Sequence, residues 1–212
     1  MIEISHLTKK FKNAVVLDDV SITFDTGKIY GLKGKNGSGK TMLMRAVCGL
    51  IIPTSGEIKI DNEILHKDIS FPRSLGALIE NPSFLPDLSG YNNLLMLTKL
   101  NIKASKDEIK KVLSDVSLDP DDKKPFRKYS LGMKQKLGIA YAILGSPDII
   151  ILDEPINALD AETVEIIKEL LIGLRDAGKT IIVACHDKEE LEYLSDIIYE
   201  IRDGRIVGVK EL

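Results

Sequence analysis

The chain has 212 residues, 44% hydrophobic and 29% charged, which is the balance of a globular domain able to bury a core, alone or with an inserted lobe. With 29 basic against 32 acidic residues the formal net charge is −3, which excludes the global basic field expected of a nucleic-acid-binding domain. No apolar run approaches the ~18 residues that span a bilayer, MIEISHLTKKF lacks the apolar core of a signal peptide, and Cys48 and Cys185 read as separate buried thiols, so a cytoplasmic protein is expected.

In chain order, the first third reads as β structure. VSITF (20–24) alternates, Asp25-Thr26-Gly27 turns the chain, and KIYGL (28–32) is a second strand. GEIKI (56–60) follows, ending at a turn on Asp61-Asn62. From about Tyr91 to Gly145 the pattern is helical, and Ser105 to Glu108 form a capping box for a helix ending near Val116. DPDDKKPF (119–126) is a charged loop broken by proline. The last third alternates: IIIL (149–152) and TIIVAC (180–185) are buried strands around an amphipathic helix at 161–177, and Asp203-Gly204 is a two-residue hairpin turn. Continuous apolar strands separated by helices predict a mostly parallel sheet covered on both faces, an α/β core with an N-terminal antiparallel β part and an inserted α-helical part.

GKNGSGKT (34–41) lies between a strand and a helical run and matches G-x-x-x-x-G-K-[ST] in the context that gives the motif meaning. Gly34, Gly37 and Gly39 let the backbone amides of the loop, Asn36 and Ser38 included, turn toward an anion at a helix N-terminus. Lys40 is expected to reach the β- and γ-phosphates of a nucleotide and Thr41 to hold Mg²⁺. IIILDEP (149–155) is an apolar strand ending in two acids, an expensive place for charge without a use. Asp153 fits the Mg²⁺-associated acid and Glu154 a group that orients or deprotonates the attacking water. His186, after the next buried strand, falls on the ligand side of an open parallel sheet. Its position alone leaves two readings, a structural histidine or a donor to the γ-phosphate.

YSLGMKQK (129–136) opens a helix on Met133, Leu137, Ala140, Tyr141 and Leu144, with Ser130 as its cap. A capped core helix accounts for the pattern. These elements together resemble the nucleotide-binding subunit of ABC transporters over nearly the whole chain. GKNGSGKT resembles the family's Walker A loop, IIILDE its Walker B strand, and Tyr129 to Met133 stand where the family signature is usually written LSGGQ. Ser130 and Gly132 match that signature, whereas Leu131 and Met133 depart from it. Asn157 to Asp160 resembles the D-loop and His186 the switch histidine, and Phe11 falls where an aromatic residue stacks on adenine. Glu80, in ALIENPSF, takes the place of the Q-loop glutamine, and Met42 that of a second threonine after Thr41. YSLGMKQ with LIENP is similar to a bacterial subgroup linked to export of, or self-protection against, bacitracin and lantibiotics.

The resemblance implies a single ATPase domain over 1–212, with a P-loop NTPase core at about 1–80 and 146–212 and a helical subdomain at about 82–145. It implies ATP and Mg²⁺ as ligands, Glu154, His186 and Lys40 as catalytic groups, and Thr41, Glu80 and Asp153 around the metal. Phe11, the loop from Gly34 to Met42, and Ser130, Gly132 and Asp160 would contact nucleotide. Two such subunits would close on two ATP molecules, as a homodimer or with a different ABC ATPase, each signature helix completing its neighbour's site. A transmembrane permease subunit would hold the protein on the inner face of the membrane, its short helix entering a groove near Glu80 and 83–97. Phe84, Leu85 and Tyr91 are candidates for that contact and Leu94, Leu95 and Leu97 for core. No nucleic-acid partner is expected. Two other functions are weighed: a soluble ABC-type ATPase acting on nucleic acid or ribosomes, which usually carries coiled coils or a second ATPase domain, and a P-loop small-molecule kinase, which has no use for YSLGMKQK.

Overall fold

The computed structural model describes residues 1–12, 14–99 and 103–212. Two sheets are present. In the first, β1 (Ile2–Phe11) pairs antiparallel with β2 (Ala14–Phe24) and β4 (Ser55–Ile60), and β4 pairs with the short β5 (Glu63–Ile64), in the order β2-β1-β4-β5. The second holds β3 (Ile29–Lys33), β6 (Leu75–Leu78), β7 (Ile149–Asp153), β8 (Thr180–Ala184), β9 (Ile197–Arg202) and β10 (Arg205–Glu211) in the order β10-β9-β3-β8-β7-β6. Its pairings are parallel except at the β9–β10 hairpin, which turns on Asp203-Gly204.

The parallel strands are apolar on both faces because both faces are covered. Side chains alternate across a strand. Ile150, Leu152, Ile181 and Val183 therefore join the core beneath α4 (Leu131–Ile143) and α5 (Ala161–Asp176). Ile149, Ile151, Ile182 and Ala184 join the core formed with α1 (Lys40–Val47) and the first sheet. Burying each such side chain stabilises the fold by roughly 1.5–3 kcal/mol before the entropy of ordering is counted. Between β6 and β7 lie α2 (Gly90–Thr98), α3 (Lys106–Asp115), a 3-10 turn (Phe126–Lys128) and α4. Ser105 and Glu108 form the expected capping box of α3. Leu94 is fully buried and Leu95 and Leu97 pack against the core from partly buried positions. The α4 helix is rooted on the sheet: a Cβ built on Gly76 of β6 would lie 1.6 Å from the Ala142 carbonyl oxygen, so only glycine admits this approach.

Three elements go beyond the sequence reading. Strand β1 escapes a period-2 reading because its register shifts between Ile4 and Leu7, between Leu7 and Lys9 and between Lys9 and Lys10, and His6 takes φ 50°. Strand β6 has four residues, one of them glycine. The seven-residue α6 (Lys188–Leu194) is mostly charged and carries no long apolar stripe. No helix among the described residues is long and apolar enough to cross a membrane.

Candidate active site

The C-terminal ends of parallel strands are where an open α/β sheet gathers its ligand groups. Here β3 feeds the loop before α1, β7 ends at Asp153, β8 precedes His186 and β6 precedes Glu80. The loop leads into α1 through Gly39, the N-cap at φ 113°. The first hydrogen bond of the helix runs from the Leu43 amide to the Gly39 carbonyl, which leaves the amides of Lys40, Thr41 and Met42 without helical partners. They are the donors an anion would take. Asn36 and Gly37 are exposed, while Ser38 is buried and its Oγ has no hydrogen-bond partner. Lys40 is only 6% exposed and donates from Nζ to the Gly34 carbonyl at 2.6 Å and the Lys35 carbonyl at 3.3 Å. The β9–β10 turn supports the loop from below, the Gly204 amide donating to the Ser38 carbonyl at 2.8 Å. The side chain of Met42 packs against the core, leaving only its backbone amide for a phosphate.

The two halves of the nucleotide motif meet. Thr41 donates from Oγ1 to Asp153 Oδ2 at 2.8 Å, although 112 residues separate them. A hydroxyl and a carboxylate side by side are hard oxygen donors, the set that suits Mg²⁺ when water and phosphate supply the remaining ligands. Among the described residues no cluster of three His, Cys, Asp or Glu side chains forms a metal cage, as a shared site of this kind requires none.

Glu154 is held in the left-handed region, φ 53°, a conformation that costs a non-glycine residue energy and persists where the surroundings impose it. Its amide donates to the Ala184 carbonyl of β8 at 2.8 Å. Its Oε2 accepts from the His186 amide at 3.1 Å, and Oε1 stands 3.2 Å from His186 Nε2. Burial raises the Glu154 pKa above the ordinary carboxylate value, the His186 side chain and amide oppose that rise, and Asp153 adds to it. A half-buried carboxylate with a raised pKa, hydrogen-bonded in a cleft, is equipped to accept a proton. His186 is 52% exposed on its other side, free to face a ligand.

Of the other expected residues, Glu80 shares a cleft with Asp153 and Glu154, while Ser130, Asp160 and Phe11 make no hydrogen bond to this centre among the described residues. Glu80, at φ 62°, lines one cleft of about 350 Å³ with Asp153, Glu154 and Gln135, but its Oε1 accepts from Arg45 Nη2 of α1 at 2.7 Å. The guanidinium thus offsets the charge that a carboxylate brings to this position. Asp160 caps α5, accepting from the Thr163 amide and hydroxyl at 2.9 Å each, and these bonds hold its pKa low. Ser130 caps α4 by accepting from the Met133 amide at 3.2 Å, which leaves its own hydroxyl proton available. Leu131 is 63% exposed beside it, and no acid stands in the first turn. Gly132 lies against its own chain: a Cβ there would come 2.9 Å from the Ala158 carbonyl oxygen. Phe11 is exposed at the end of β1, with Lys9 Nζ 4.7 Å from its ring centroid. Gln135, absent from the sequence-based candidates, is buried and donates from Nε2 to the carbonyls of Glu154 at 2.8 Å and Pro155 at 3.3 Å. Its only sequence signal is a polar residue on the apolar face of α4.

A separate groove of about 740 Å³ lies between the sheet and the helical segment, lined by Phe84, Leu85, Asn93, Met96, Leu97 and Tyr141 among others. Tyr91 packs against the core instead.

Residues 17–157 match the family model described as ABC transporter. The chain belongs to the ABC transporter family. It is an ATP-binding ATPase subunit of that family. It is 49% identical over 206 residues, 97% of this chain and 94% of the other, to the uncharacterized ABC transporter ATP-binding protein YybJ of Bacillus subtilis (strain 168). Identity is 39% over 209 residues, 98% of this chain and 68% of the other, to the bacitracin transport ATP-binding protein BcrA of Enterococcus faecalis. It is 36% over 212 residues, 100% of this chain and 91% of the other, to the lantibiotic transport ATP-binding protein SrtF of Streptococcus pyogenes. Among solved structures, the ATP-binding cassette MJ0796, in a dimeric post-hydrolysis state bound to ADP and Pi, superposes with a TM-score of 0.91 at 24% identity, covering 100% of this chain and 99% of that one, a likeness of fold. The ABC subunit is thus related to proteins of the bacitracin and lantibiotic group, as YSLGMKQ and LIENP suggest.

Proposed function

We propose that this ABC subunit binds ATP with Mg²⁺ at the loop from Gly34 to Met42 and hydrolyses it only when two subunits close, driving a permease that exports a peptide antibiotic or protects against one. The reading rests above all on one convergence: Thr41 with Asp153, and Glu154 with His186, at the ends of neighbouring parallel strands. Likeness to BcrA and SrtF, named for bacitracin and lantibiotic transport, supports the substrate class. The domain would be single, its core at about 1–80 and 146–212 and its helical lobe at about 82–145.

In this mechanism the loop amides and Lys40 orient the phosphates, and Phe11 stacks on the base. Mg²⁺, when bound, supplies charge neutralisation at the phosphates, and Thr41 and Asp153 would hold it. Glu154 takes the proton of the attacking water, helped by a site that already disfavours its charged form. His186 positions Glu154 through its amide and presents its ring to the γ-phosphate. Ser130 and the amides of α4 stabilise the phosphate charge of the ATP held by the other subunit, with Gly132 beside them. Asp160 orders the start of α5 at the same face. The apolar groove receives a short helix of the permease, which places the subunit on the inner face of the membrane.

The test is Glu154→Gln. With ATP the variant should elute from a sizing column as a dimer and hydrolyse at a rate lower by two or more orders of magnitude, about the share that general-base catalysis supplies. Normal turnover would sink the assignment. Hydrolysis stimulated by RNA or ribosomes, or dependent on a small acceptor, would point to the two other functions.

A further inference from the structure

One wall of the groove is laced to the segment that enters α4. Asn93, 2% exposed, accepts from the Leu85 amide at 2.8 Å and donates to the carbonyls of Leu85, Leu88 and Ser89 at 3.2, 3.2 and 3.1 Å. This fixes the turn 85–89 on α2. The same turn holds the 3-10 segment: the Phe126 amide donates to the Leu88 carbonyl at 2.8 Å, the Arg127 amide to the Pro86 carbonyl at 2.9 Å, and Arg127 pairs with Asp87. The last link is a side chain. The Gly90 amide, an orphan donor in the first turn of α2, donates to Tyr129 Oη at 3.0 Å. Tyr129 is buried, and burial pushes its pKa up, so it remains a neutral phenol. A Cβ on Gly90 would stand 2.7 Å from that hydroxyl, so with Tyr129 in this place residue 90 has room for glycine alone. The next residue is Ser130.

We propose that Tyr129 is a positioning residue, whose hydroxyl bond to the Gly90 amide carries a displacement of the groove wall to Ser130. The leucine usual at this place in the signature could pack there but could not bond the amide. The proposal rests on the reading that Ser130 completes an ATP site and that a permease helix fills the groove, and it adds that the Tyr129 hydroxyl links the two. The contacts are a path; the coupling is what the experiment measures.

Leu85, half exposed in the groove wall, is replaced by cysteine and labelled with pyrene maleimide as the groove-filling probe. The native thiols Cys48 and Cys185 are buried, with pKa values pushed up to about 12 and about 11, so at neutral pH only the introduced thiol reacts. ATP affinity is measured on the monomer and kcat and KM on the dimer, labelled and unlabelled. With Tyr129 present, the label should change kcat about fivefold or more, the lower end of ordinary coupling between sites, with monomer affinity unchanged. In Tyr129→Phe, with melting temperature as a check on folding, the label effect should shrink to less than about twofold. Gly90→Ala, which displaces the phenol without removing it, should do the same. An equal label effect with and without the hydroxyl, or none with it, overturns the proposal. Unchanged hydrolysis in Ser130→Glu would instead overturn the reading beneath it.

Discussion

The raised pKa of Glu154 has consequences for both rate and stability. As the proposed base the residue must be ionised, so hydrolysis should fall as pH drops through its folded pKa, which burial raises from the ordinary glutamate value. For stability the sign is the reverse. A carboxyl whose pKa is raised by folding binds its proton more tightly in the native state, so its contribution is complete below the unfolded pKa and lost as pH rises through the folded one. Glu154→Gln should therefore raise the melting temperature most at neutral pH and little near pH 4, as calorimetry at both values would show. Arg45 and Glu80 are both exposed enough that their pair is worth only about 0–1 kcal/mol to the fold. Its effect belongs at the site: Arg45→Ala should weaken ATP binding a few-fold, about 1 kcal/mol, by leaving a carboxylate unneutralised. Glu80→Gln in the same background should restore it, as titration with a fluorescent ATP analogue would show. Lys40 holds two loop carbonyls as well as facing the expected phosphates, so Lys40→Ala should increase amide exchange across 34–38 even without nucleotide.

Helix α4 serves two purposes at its two ends. Ser130 caps it, and Ser130→Ala should cost about 1 kcal/mol through the cap alone. Ser130→Glu should leave monomer ATP binding intact and abolish dimer-dependent hydrolysis. Midway along the helix, Gln135 is the sole side-chain donor to the Glu154 and Pro155 carbonyls among the described residues, and Gln135→Leu should destabilise by about 1–3 kcal/mol in urea unfolding. The phosphate loop, the two acids at the end of β7 and the cap of α4 were legible because each is a local pattern set by backbone chemistry. Arg45 with Glu80, Gln135 with Glu154 and Gly90 with Tyr129 were not, because each pair is made by tertiary packing between segments distant in sequence. The broken alternation of β1 hid a strand for a different reason: bulges and positive φ interrupt the period on which a strand is read.

At the scale of the whole molecule, one sheet collects Lys40, Thr41, Glu80, Asp153, Glu154 and His186 along the ends of β3, β6, β7 and β8, while β6 also borders the groove. The alternation of apolar strands and helices foretold that layering; the strand order could not be read from the chain, since it depends on which faces pack best. The root of α4 on Gly76 also has a mechanical meaning. The close contact with the Ala142 carbonyl pins the far end of a 13-residue helix, and Ser130 rides on the other. Thirteen residues at ~1.5 Å each make a lever of about 20 Å, so a tilt of ~10° about the pin carries the serine some ~3 Å. That stroke exceeds the tolerance of a hydrogen bond. Such a rocking would carry Gln135 away from the Glu154 and Pro155 carbonyls, so engaging or releasing the phosphate of a neighbour would cost those two hydrogen bonds.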